Sequence, residues 1–131
     1  MNEYSINDLM VKDLAWEKDR LTAVTESDPL MRRFGQADVI RLVAEEVVEV
    51  RRQTADEIWT IISGEGEINL TDLRKDSPSF EKVDTLTWVG LQPKAVLVPF
   101  GVQCRVWAET DCLLLRLTTH QDNTLPDDLH P

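Results

Sequence analysis

From Leu21 onward the apolar residues fall in short runs, several of them alternating with polar ones. The runs are Leu21–Thr25, Ala37–Ala44, Val47–Arg52, Glu57–Ser63, Glu67–Asp72, Lys82–Trp88, Val96–Val98, Cys104–Ala108 and Cys112–Thr119. A period of two puts successive side chains on opposite faces, so these runs predict strands. Glu57–Ser63 holds Ile58, Trp59, Thr60, Ile61 and Ile62, the β-branched and aromatic types that strands favour. In Glu67–Asp72, Ile68 and Leu70 share one face and Glu67, Asn69 and Thr71 the other. In the last run Leu113, Leu115 and Leu117 share one face, and Cys112, Leu114 and Arg116 the other.

Turn chemistry separates the runs. Ser63-Gly64-Glu65-Gly66 offers glycines free to take positive φ and predicts a hairpin between its flanking strands. Lys75–Ser79 reads as a polar loop and Pro99-Phe100-Gly101 as a turn. Only Ser5–Arg20 and Leu42–Arg52 carry any helical spacing. So many short strands with turns between them predict an all-β sandwich or barrel. The expected layout is an N-terminal arm over 1–20, a barrel over 21–119 and an extended polar tail over 120–131.

The chain has 131 residues, the size of one domain. Acids outnumber bases 24 to 14, giving a net charge of −10. That argues against nucleic acid and anionic membranes as partners, since both require a positive surface. No apolar run approaches the ~20 residues of a membrane helix. The first residues, Met1-Asn2-Glu3-Tyr4, lack the basic start and apolar core of a secretory signal. Cys104 and Cys112 match neither a zinc-ribbon spacing nor a redox pair. The expectation is a cytoplasmic protein with both thiols reduced.

Candidate chemistry is sparse. The two histidines, His120 and His130, lie at the C-terminal end and form no ligand cluster, so no metal site and no cofactor are expected. No dinucleotide fingerprint, phosphate loop or nucleophile elbow is present. Arg105 adjoins Cys104, but on a strand the two point to opposite faces, which predicts a plain buried thiol at Cys104. Arg41, Arg51, Arg52, Gln53 and Arg116 interrupt or follow apolar runs. Each is open to two readings: the outer face of a half-buried sheet, or a barrel mouth that binds an anion. Trp59 and Trp107 are equally open to roles as ring-stacking mouth residues or as core.

Several segments resemble the dTDP-4-dehydrorhamnose 3,5-epimerases, which are cupins. Glu57 followed by Gly64 resembles the second half of the first cupin motif. Pro99-x-Gly101-x-x-Cys104 resembles the second, where the last position is usually histidine. Asp72-Leu73-Arg74 with Ser77-Pro78-Ser79-Phe80 resembles that family's Asp-Leu-Arg…Ser-Pro-Thr-Phe stretch. Phe34-Gly35-Gln36 and Asp19-Arg20 resemble its N-terminal segments. The resemblance runs over about residues 17–119 and implies a single-domain cupin-type jelly roll, usually a homodimer.

The departures bear on function. The stretch matching the family's histidine base reads Val50-Arg51-Arg52-Gln53. The cupin His-x-His positions read Arg51-x-Gln53, and the last metal histidine is Cys104. An ungapped count puts the proton-donating tyrosine at Leu115, and a nucleotide-holding lysine near Glu57, where the charge is reversed. Epimerisation needs a base on one face and an acid on the other. The resemblance therefore implies no catalytic set. It implies a ligand-binding set drawn from Arg20, Gln36, Arg51, Gln53, Glu57, Trp59 and Cys104. Two functions follow. The first is a cupin that binds a small carbohydrate or nucleotide-sugar without the family's chemistry. The alternative is a carbohydrate epimerase or isomerase with a rebuilt site around Glu57, Cys104 and Arg51, with an acid such as Asp56.

Overall fold

The computed structural model describes residues 4–23, 34–52, 55–90, 92–119 and 128–129. Twelve strands carry the fold among them. They are β1 (Met10–Asp13), β2 (Trp16–Glu17), β3 (Arg20–Leu21), β4 (Gln36–Leu42), β5 (Val47–Arg52), β6 (Glu57–Ser63), β7 (Gly66–Asp72), β8 (Val83–Trp88), β9 (Lys94–Val98), β10 (Val102–Ala108), β11 (Cys112–Thr118) and β12 (Asp128–Leu129). One antiparallel sheet runs β1-β9-β6-β11-β4 and the other β12-β5-β10-β7-β8. Strands β4 to β11 thus form two four-stranded sheets whose members alternate along the chain except at β7 and β8, which are neighbours in one sheet, the order of a jelly roll. β1 and β12 extend one edge of each, and β2 and β3 pair as a separate ribbon.

The strands form where the alternation predicts them, but one connection differs. β6 and β7 are not a hairpin. β6 pairs with β9 and β11, and β7 with β8 and β10. The turn at Gly64 therefore carries the chain from one sheet to the other. Gly64 sits at φ 95°, and an added Cβ would lie 2.4 Å from the Asp111 carbonyl oxygen. The glycine is required by that close approach, and a hairpin has no special claim on it.

Among the described residues there is no helix. Leu42–Arg52 is instead the end of β4, a turn at 44–45 and β5. Ser5–Arg20 also differs from the helical spacing. Ile6 and Leu9 are buried in the core at 0% and 2% exposure, and Met10–Asp13 pairs with β9. The arm is anchored to both sheets. The Ser5 and Ile6 amides donate to the two oxygens of Asp84 on β8, at 2.9 and 2.7 Å, and the Asn7 amide donates to Ser79 Oγ at 2.8 Å. The strand expected over Leu21–Thr25 is the shorter Arg20–Leu21, with Thr25 outside the described residues. In the expected tail, Asp128–Leu129 pairs with β5.

The core lies between the sheets. Trp59, Ile61, Val96, Val98 and Leu114 from the first sheet meet Val50, Ile68, Leu70, Leu86, Trp88, Val102 and Val106 from the second. The two faces of β11 are now distinguished: Cys112, Leu114, Arg116 and Thr118 are buried, while Leu113, Leu115 and Leu117 are half-buried. Leu114 belongs to the core cluster and Leu115 does not. The position counted as that of the catalytic tyrosine thus faces away from the interior, and Leu114 and Arg116 face inward. A one-residue slip in register moves a strand residue to the other face.

Candidate functional site

The inward faces of β4, β6 and β11 turn polar toward one end of the barrel. Thr118 stands opposite Glu57 on one side and Gln36 on the other. Arg116 stands opposite Trp59 and Asp38. Strand pairing alone therefore gathers six polar or amphipathic side chains into two adjacent rows.

These side chains form a connected network. Trp59 Nε1 donates to Glu57 Oε1 at 3.0 Å. Arg116 Nε lies 3.1 Å from Glu57 Oε2, and its Nη1 lies 3.6 Å from Asp38 Oδ2. Gln36 Nε2 donates to both Asp38 oxygens, at 3.2 and 3.0 Å. Glu57, Trp59 and Arg116 are buried, whereas Gln36 and Asp38 are half-buried. The network thus has a buried floor and a more open rim.

Cys104 on β10 belongs to the opposite sheet and is buried at 1% exposure. Burial pushes its thiol well above the ordinary range, and the negative charge of Glu57 adds to this. A thiol so held stays protonated and is not a nucleophile at neutral pH. Arg105 beside it is exposed, as the alternation predicts. Glu57 accepts from Trp59 through one oxygen and faces the Arg116 guanidinium through the other. The described side chains here offer hydrogen bonds and fixed charge. Among the described residues no three His, Cys, Asp or Glu side chains gather as a metal site.

The structure brings together Gln36, Glu57 and Trp59 of the expected set, with Cys104 on the opposite sheet near enough to feel the Glu57 charge. Arg20 sits exposed on β3, in the ribbon apart from both sheets. Arg51 stands opposite Gln103 in the β5–β10 register, and Gln53 lies outside the described residues. Asp38 and Thr118 were not singled out by the sequence. Their signal was the period-two spacing Gln36-x-Asp38-x-Ile40 and Arg116-x-Thr118, read with the correct inward face.

A second polar cluster explains the Asp-Leu-Arg…Ser-Pro-Ser stretch. Asp72 is fully buried and accepts from the Arg74 amide and Nε at 3.0 and 2.9 Å, from Arg74 Nη2 at 2.9 Å and from the Ser77 and Ser79 hydroxyls. Burial alone would raise its pKa, but the donors from Arg74, Ser79 and Ser77 outweigh it and hold the carboxyl well below the usual range. Arg74 also donates to the Asn7 carbonyl at 2.8 Å. This motif ties the β7–β8 connection to the N-terminal arm, which is a structural task.

No protein-family model and no curated protein matches the sequence. Solved structures do. A dTDP sugar isomerase from Desulfovibrio desulfuricans superposes with a TM-score of 0.85 at 15% identity, over 100% of this chain and 88% of that one. A 3'-monoepimerase from Streptomyces bikiniensis, solved with dTDP, gives 0.83 at 14% identity, over 99% and 72%. A dTDP-6-deoxy-D-glucose-3,5-epimerase from Legionella pneumophila, solved with dTDP-4-keto-L-rhamnose, gives 0.79 at 14% identity, over 95% and 73%. The chain has the cupin-type jelly-roll fold of the dTDP-sugar epimerases. At these identities the likeness carries the fold and not the site.

Proposed function

We infer that the chain is a non-catalytic cupin related to the dTDP-4-dehydrorhamnose 3,5-epimerases. It binds a small carbohydrate or nucleotide-sugar at the polar end of its barrel. Gln36 and Asp38 form the rim, and Glu57, Trp59 and Arg116 the floor, with Cys104 facing them. One observation carries the reading: a connected polar network, open at its rim, stands inside a jelly roll. Ligands of the similar structures, dTDP and dTDP-4-keto-L-rhamnose, supply the class to test.

A thermal-shift panel with dTDP, dTDP-sugars, UDP-sugars, simple sugars and divalent metals tests it. A ligand that binds only the native state adds RT ln(1 + [L]/Kd), about 2.7 kcal/mol at a hundredfold excess over Kd. The expected result is a rise with a sugar or nucleotide-sugar and none with metals. Solvent deuterium is expected to stay out of a dTDP-4-keto sugar incubated with the protein. Its incorporation would establish the rebuilt-enzyme reading instead.

The partner reading is a second copy of this chain, in the cytoplasm. The outward face of the first sheet supports it. Leu115 and Leu117 stand beside Val39 and Ala37 there, with Val39 exposed at 67%. Apolar surface of this kind is buried at homodimer interfaces. Light scattering is expected to give twice the chain mass, and Val39→Lys to shift it toward monomer. A monomeric wild type would end this reading.

A further inference from the structure

The row Gln36–Thr118–Glu57 holds a group that the protein itself leaves unused. Thr118 is fully buried and on the inward face of β11, with Leu114 and Arg116. Its Oγ1 has no hydrogen-bond partner. Glu57 and Gln36 flank it on the neighbouring strands. A buried hydroxyl without a partner loses its hydration and regains nothing in the folded chain. Valine has the same shape and favours strands at least as well. The hydroxyl therefore lowers the stability of the free protein.

We propose that Thr118 Oγ1 is a ligand contact, the group that takes a hydroxyl or carbonyl oxygen of the sugar ring. This rests on the ligand-binding reading above and extends it to a particular residue and a particular part of the ligand. A hydroxyl both donates and accepts, which suits neutral sugar oxygens. A diphosphate calls for cations, and Arg116 in the next row already faces two carboxylates. The sugar rather than the phosphates therefore docks on this row. Half-buried Gln36, in the same row, and Asp38, in the next, are the more exposed side chains beside it.

The test compares wild type, Thr118→Val and Thr118→Ser, each titrated with dTDP and dTDP-glucose, with the melting temperature of the free proteins measured alongside. Thr118→Val is expected to melt a few degrees higher than wild type. It is expected to bind dTDP-glucose about tenfold more weakly, the size of one lost hydrogen bond, while dTDP binding stays within about twofold, since that ligand does not reach the hydroxyl. Thr118→Ser keeps the hydroxyl and is expected to bind dTDP-glucose as wild type does. Equal dTDP-glucose affinity in wild type and Thr118→Val would overturn the Thr118 contact and leave the ligand reading standing. No binding of dTDP-glucose by the wild type would overturn the contact, and no binding of any sugar or nucleotide-sugar of the panel would overturn the ligand reading with it. A lower melting temperature in Thr118→Val, or its failure to fold, would show that the hydroxyl is satisfied within the protein and would also overturn the contact.

Discussion

Asp72→Ala is expected to destabilise the protein by about 3–5 kcal/mol, measured by urea unfolding. The carboxylate is fully buried and gathers donors from Arg74, Ser77 and Ser79. Removing it deletes those bonds together and leaves the Arg74 side chain, 13% exposed, without its principal counter-charge. The Ser79 hydroxyl also accepts from the Asn7 amide, so the loss extends to the N-terminal arm. Asp72→Asn keeps the shape and one acceptor oxygen and is expected to fall between wild type and alanine.

The same group sets a pH dependence. Its pKa in the folded protein is depressed below the ordinary value of 3.8. The stability it contributes is thus fully present above that value and is lost as pH falls through it toward the folded pKa. Wild-type stability is expected to drop more steeply than that of Asp72→Asn as pH falls below about 4. Parallel curves for the two proteins would remove Asp72 as the source.

How much of this was legible before the structure depends on the range of the interaction. β5 and β6 begin and end where the runs Val47–Arg52 and Glu57–Ser63 do, because alternation is a property of neighbouring residues. The turn at Gly64 was legible as a turn, but not as a change of sheet. Its residues fix local φ and ψ, whereas the residues that β6 and β7 pair with lie between 12 and 61 positions further along the chain. The N-terminal arm departs from its helical spacing for a related reason. Ile6 and Leu9 have the three-residue spacing of a helix face, but Asp84 and Ser79, distant in sequence, hold that segment as an irregular strap.

The site was legible in residue type and not in orientation. β11 is apolar on both sides of Arg116, so period two offers two candidate inner faces and no local preference between them. Pairing to β6 and β4 decides it, and the decision puts Arg116 and Thr118 inside. Once that face is known, Asp38 and Glu57 follow from register as their neighbours. Arg20 illustrates the opposite case, a residue chosen on a short segment match that the fold places on a separate ribbon.

Arg116→Leu is expected to cost about 3–5 kcal/mol of stability, also read by urea unfolding. Glu57, 2% exposed, would keep its bond from Trp59 but lose the guanidinium 3.1 Å away. Removing the cation beside a buried carboxylate raises the cost of keeping that charge in the interior. The double variant Arg116→Leu with Glu57→Gln removes both charges and leaves an amide that can still accept from Trp59. Well-packed neutral replacements of buried ion pairs are often neutral or stabilising, so the double variant is expected to recover most of the loss. That recovery would mean the pair contributes little net stability to the barrel. The ligand panel then separates the remaining roles. A double variant that folds well and no longer responds to the sugar or nucleotide-sugar bound by wild type assigns the pair to binding. One that folds well and responds as wild type does shows the pair to be a dispensable feature of the interior, and moves the ligand contacts to the rim.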